Sequence, residues 1–127
     1  MELIIVDWNP PADKPLLQKA LVLPKDTGPL LIRFIVVPPK IHQSYNASKK
    51  INIINVAAFN AGIRRAKGEF ILVTNSDILF SDELMRFISL KNLQHKFFYR
   101  AFRYDIHRDV LKHVAYEERM DFCKHNV

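Results

Sequence analysis

Cysteine is almost absent from this 127-residue chain: Cys123 stands alone, so no internal disulfide can form, and a reducing compartment is the expectation. No apolar run reaches the roughly 18 to 20 residues that span a bilayer, so no transmembrane segment is expected. The opening Glu2–Asp7 stretch has no basic residue before its short apolar run, unlike a secretory signal, and a cytoplasmic location follows as the expectation. Repeats, low-complexity stretches and linkers are missing, and one domain covering 1–127 is expected. The formal charge is +6, a balance that can mean nucleic acid, an anionic membrane or a phosphate-bearing substrate; Lys and Arg never form a run of five and Arg-rich arms are lacking, so nucleic acid is not expected. His42, His95, His107, His113 and His125 show no paired metal-ligand spacing. Asn46-Ala47-Ser48 matches a glycosylation acceptor, which means little without a secretory signal.

What the chain does have is apolar content of 49% against 25% charged residues, the balance of a soluble globular protein with one core. Leu3–Val6 and Leu30–Val37 are continuous apolar runs, the pattern of parallel strands covered on both faces. Between them, Trp8-Asn9-Pro10-Pro11 reads as a loop, and Asp13-Lys14-Pro15 as the start of a short helix carrying Leu16, Leu17, Ala20 and Leu21. Pro38-Pro39 stops the second strand, and 40–50 reads as a polar loop. A helix is expected over 51–67 with Gly68 as its terminating glycine, followed by a third strand at Phe70–Thr74. Ser81-Asp82-Glu83 opens a further helix with a cap and two acids in its first turn. A fourth strand over Phe97–Ile106 and a last helix over Arg108–Cys123 complete an α/β layered sheet.

Several residues have a functional and a structural reading. Asn75-Ser76-Asp77 follows a strand, where α/β sheets bind ligands, and a carboxylate there can hold a hard cation against a phosphate. The same three residue types are also plain turn formers. Gly62, inside a helical pattern, costs roughly 1 kcal/mol against Ala, so it marks a close approach to a ligand or to a neighbouring strand, or tight packing alone. Asp7 ends a strand, and by its residue type alone it reads as a capping or turn carboxylate. Arg64 and Arg65 can fork onto phosphate, but adjacent helical positions diverge by about 100°, so at most one is expected to face a given ligand. A solvated helix face is the plainer alternative.

The stretch from Asn60-Ala61-Gly62 through Ala66-Lys67-Gly68-Glu69 and the apolar run to Asn75-Ser76-Asp77 resembles the nucleotide-diphosphosugar transferases of the GT-A fold, the family 2 type of glycosyltransferase. That resemblance, strongest from Asn60 to Phe80, implies a Rossmann-like GT-A layered sheet with mostly parallel strands. It implies an Mn or Mg ion at Asp77, and a nucleotide-diphosphate sugar contacted by Asp7, Asn9, Gly62, Arg65, Asn75 and Ser76. It departs from the family in three respects. Asn75 replaces the first Asp of the Asp-x-Asp pattern, the usual first strand is lacking, and no counterpart of the catalytic C-terminal part is found, so no catalytic residue is assigned. Asp105 and Glu117 are the first candidates should a base lie within the chain. The chain is therefore read as a partial, truncated or fragment form, the acceptor is unassigned, and the open strand edges left by the missing strand imply a homo-oligomer. A non-catalytic α/β binding module and a different Mg-dependent phosphate-binding α/β enzyme remain as alternative readings.

Overall fold

The computed structural model describes residues 1–126, which divide into two compact units, Met1–Val73 and the described residues from Thr74 onward.

In the first unit, β1 (Glu2–Trp8) pairs in parallel with β2 (Leu31–Val37), the register running from Glu2 opposite Leu31 to Trp8 opposite Val37. Both apolar runs thus form strands as their composition requires, and their carboxyl ends lie side by side. A parallel pair needs a crossover connection. It contains the four-residue helix α1 (Leu17–Ala20). The N–H of Leu17 is held by a carboxylate oxygen of Asp7 at 2.9 Å. The expected capping by Asp13 is thus replaced by a tertiary contact, because the strand end brings a buried carboxylate to the helix start.

Pro38-Pro39 does more than stop β2. Pro39 occupies the first turn of a short helix, α2 (Pro39–Gln43), within the stretch expected to be a polar loop. Proline suits that position because its missing N–H has no intrahelical partner there. The next helix, α3 (Asn55–Ile63), is shorter at both ends than the expected 51–67. Beyond Ile63 the chain is drawn away by Glu2, whose carboxylate accepts the N–H groups of Lys67 and Gly68. Gly68 is therefore not the terminating glycine of the helix, and the glycine with positive φ is Gly28, at 53°.

Phe70–Thr74, expected as a third strand, forms no strand in the structure, and the sheet has two strands. Ile71, Leu72 and Val73 are between 46% and 59% exposed. β-branched composition favours a pleated, half-buried setting only when a neighbouring ladder supplies one.

In the second unit, α4 (Asp82–Ser89) starts as the sequence anticipates, with the Ser81 hydroxyl accepting the Leu84 N–H at 3.2 Å and Asp82 and Glu83 in the first turn. Phe97–Ile106 forms no strand. Its three consecutive aromatics, Phe97-Phe98-Tyr99, do not alternate as a half-buried strand does. The expected last helix is split into a 3₁₀ turn (Arg108–Lys112) and α5 (Tyr116–His125), separated by extended backbone at His113 and Ala115. The Tyr116 hydroxyl donates to the Phe80 carbonyl at 2.6 Å. Among the described residues no helix is long and apolar enough to cross a membrane. Among the described residues the architecture is α/β with a two-stranded parallel sheet and five α-helices.

Candidate functional site

The paired carboxyl ends of β1 and β2 gather a buried polar cluster in the first unit. Trp8 and Val37, opposite each other, are the buried apolar side chains, and Asp7 and His42 are the buried polar ones. The Trp8 indole N–H donates to His42 Nδ1 at 3.0 Å. An indole nitrogen can only donate, so Nδ1 must carry the lone pair and Nε2 the proton. Nε2 lies 3.2 Å from the Ser48 carbonyl, which accepts that proton. The Tyr45 ring meets the indole edge-on, 5.9 Å between centroids. These contacts arise because α2 follows directly on β2 and turns His42 back towards the strand end. Sequence reasoning passed over His42, since its partners lie 34 positions upstream and six downstream.

Beside this cluster lies a groove of about 580 Å³ between β2 and α3. Its lining includes Trp8, Tyr45, Val37, Asn60, Arg64 and Arg65. The volume falls within the range of small-ligand sites. Both arginines are among its lining residues. Both lie in the turn just past α3, so the divergence of adjacent helical positions does not apply to them. Arg65 is also tied back to α3, its Nη1 donating to the Ala61 carbonyl at 3.0 Å, while its own carbonyl accepts Arg33 Nη1 at 2.9 Å.

The other expected nucleotide-binding residues of this unit have structural partners. Asp7 is 7% exposed and holds Leu17, which is the capping reading of that carboxylate. Asn9 has φ 54°, a left-handed conformation that Asn adopts more readily than most residues. Its N–H donates to the Val37 carbonyl at 2.9 Å and its side chain to the Asn52 carbonyl at 3.3 Å, which fastens the exit of β1. Gly62 lets α3 approach β1: a Cβ there would stand 3.4 Å from a Val6 methyl and 3.8 Å from an Ile4 methyl. Gly62 thus faces β1 across ordinary packing distances, in a contact that would also admit a Cβ.

At the amino end of β1, Glu2 pairs with Arg33 at 2.8 Å besides receiving the Lys67 and Gly68 N–H groups. The Lys67 N–H and then the Arg33 guanidinium hold its carboxyl below the usual value of 4.5.

In the second unit, Ser76 and Asp77 lie in a turn, and Asn75, Ser76 and Asp77 are all exposed. The carboxylate, amide and hydroxyl are hard oxygen donors of the kind Mn and Mg accept, and Mg commonly takes only one or two protein carboxylates alongside phosphate and water. Among the described residues no three or more His, Cys, Asp or Glu side chains gather into a group that could hold a metal by themselves. Compared with known proteins, the chain matches no family model, no curated protein and no solved structure at a significant level.

Proposed function

We propose that this chain binds a nucleotide-diphosphate sugar in the manner of the donor-binding half of a GT-A glycosyltransferase, and that on its own it does not transfer the sugar. The observation that carries this reading is the groove beside the carboxyl ends of a parallel strand pair, where α/β sheets bind ligands. The exposed Tyr45 ring offers a surface for a base, and Arg64 and Arg65 offer forked donors for phosphate. Arg64 enters the site beside the residues that the resemblance implied. Asp7 and Asn9 support the site by shaping the strand end. The assignment of the metal, Mn or Mg, to Asp77 with Asn75 and Ser76 rests on the resemblance and on their oxygen donors alone. No residue is assigned as catalytic base, which is the reason transfer is not expected.

Titration calorimetry with UDP and GDP tests this. Binding is expected in the presence of Mn, weakened by EDTA, with the metal dependence lost in Asp77→Ala. No heat at millimolar nucleotide with metal present would rule the reading out. A non-catalytic binding module is the second reading, favoured by the engagement of Asp7 and Asn9 in structural bonds. The cytoplasmic location and the homo-oligomer remain proposals. The oligomer rests on β1 and β2 each pairing with one neighbour only, and light scattering that finds a monomer at all concentrations would refute it.

A further inference from the structure

From Leu84 to Tyr104 the sequence has no acidic residue and five basic ones, Arg86, Lys91, Lys96, Arg100 and Arg103. The same stretch holds six aromatic residues. Two of them fold back: Phe87 and Tyr99 lie 6.2 Å apart between ring centroids, and the Tyr99 hydroxyl accepts the Gln94 N–H at 2.8 Å. That pair fixes the root of the segment on α4. Beyond it the remaining rings project, with Phe98 93% and Phe102 90% exposed, and Phe97 and Leu90 about two-thirds exposed. Large apolar side chains this exposed, close in sequence to basic residues, are candidates for contact with a partner.

We propose that residues 84–104 are a docking surface for an anionic lipid bilayer, Phe98 and Phe102 entering the headgroup boundary while Arg100, Arg103 and Lys96 meet lipid phosphates. Charge complementarity selects the partner: a cytoplasmic leaflet is negative, and each Lys or Arg brought to it adds attraction. Long basic side chains keep their charge in the headgroup layer while their stems lie along apolar surface. Arg103 pairs with Asp105 at 3.4 Å, in an exposed contact that lipid phosphate can replace. Single-stranded nucleic acid is the weaker fit. It calls for a basic groove that follows the backbone, and the concavity found in this unit is lined instead by Glu118 and Asp121 along with His113, Phe122, His125 and Asn126. The proposal does not depend on nucleotide binding.

Vesicle sedimentation with the full chain tests it. The chain is expected to sediment with vesicles in which about a third of the lipid is phosphatidylserine, not with phosphatidylcholine alone, and to be released by salt. Phe98→Ser with Phe102→Ser should reduce the partition at least about tenfold, given how much apolar transfer the two rings supply. Arg100→Gln and Arg103→Gln should each reduce it about fivefold. These side chains are exposed, so circular dichroism of the variants should match the parent chain. Equal sedimentation with both vesicle types, or variants that bind like the parent, would overturn the proposal. So would tighter binding to a single-stranded oligonucleotide than to the anionic vesicles at the same salt.

Discussion

The Trp8 indole N–H donates to His42 Nδ1 at 3.0 Å, and this bond ties the carboxyl end of β1 to α2. The imidazole is 4% exposed and spans two fixed partners, the indole and the Ser48 carbonyl. Replacing it by Ala leaves a buried donor without an acceptor, which costs about 1 to 3 kcal/mol. His42→Ala should therefore destabilise the first unit by about 2 kcal/mol. Trp8 is the chain's one tryptophan, so denaturant unfolding followed by its fluorescence reads this directly. His42→Gln, which keeps an acceptor, should lose less. An unchanged midpoint for His42→Ala would show that the cluster does not fasten α2.

Gly62 offers a test with an unusual sign. A Cβ at that position meets the Val6 methyl at 3.4 Å, within ordinary contact, and Gly62 has helical geometry in α3. Ala in a helix is favoured over Gly by roughly 1 kcal/mol. Gly62→Ala is expected to leave stability unchanged or raise it by up to about 1 kcal/mol, whereas Gly62→Leu should cost about 1 to 3 kcal/mol by forcing α3 off β1. Thermal unfolding of both variants settles the order. Loss of stability in Gly62→Ala would mean a closer approach than the contact distances describe.

Glu2 gives the expected response to pH. Its carboxyl is held below 4.5 in the folded chain, first by the Lys67 N–H and then by Arg33. A depressed folded value means that the charged form is favoured by folding. The contribution is complete above the unfolded value and is lost as pH falls below 4.5 through the folded one. Glu2→Gln should thus lower stability at neutral pH and flatten the acid limb of the profile. Measured midpoints between pH 3 and pH 7, about that range being enough to span the transition, check this. Parallel curves for the two proteins would contradict it.

The parallel pair and α4 were legible because each is encoded locally, by an unbroken apolar run in β1 and β2 and by Ser81 with two acids behind it in α4. The shared pattern failed at Phe70–Thr74 and Phe97–Ile106, where strand-like composition has no ladder to join. A strand is a relation between two segments, and the sequence of one cannot state it. Asp7 was legible as a capping candidate, but its partner Leu17 was not, because the contact is made across a turn. His42 was invisible for the same reason. Arg64 and Arg65 were marked out by their chemistry, and only the three-dimensional arrangement puts both beside Tyr45 along one groove.

Amide and side-chain NMR of the labelled chain, titrated with UDP or GDP and Mg, tests the nucleotide-binding account most directly. It predicts shifts concentrated on Tyr45, Asn60, Arg64 and Arg65, with the Gly28 and Asp26 turn, which lies away from the groove lining, unmoved. Arg64→Ala should weaken the effect about tenfold or more, as expected for loss of a charge-assisted phosphate contact. Shifts scattered over the surface, or none at millimolar nucleotide, would contradict the account.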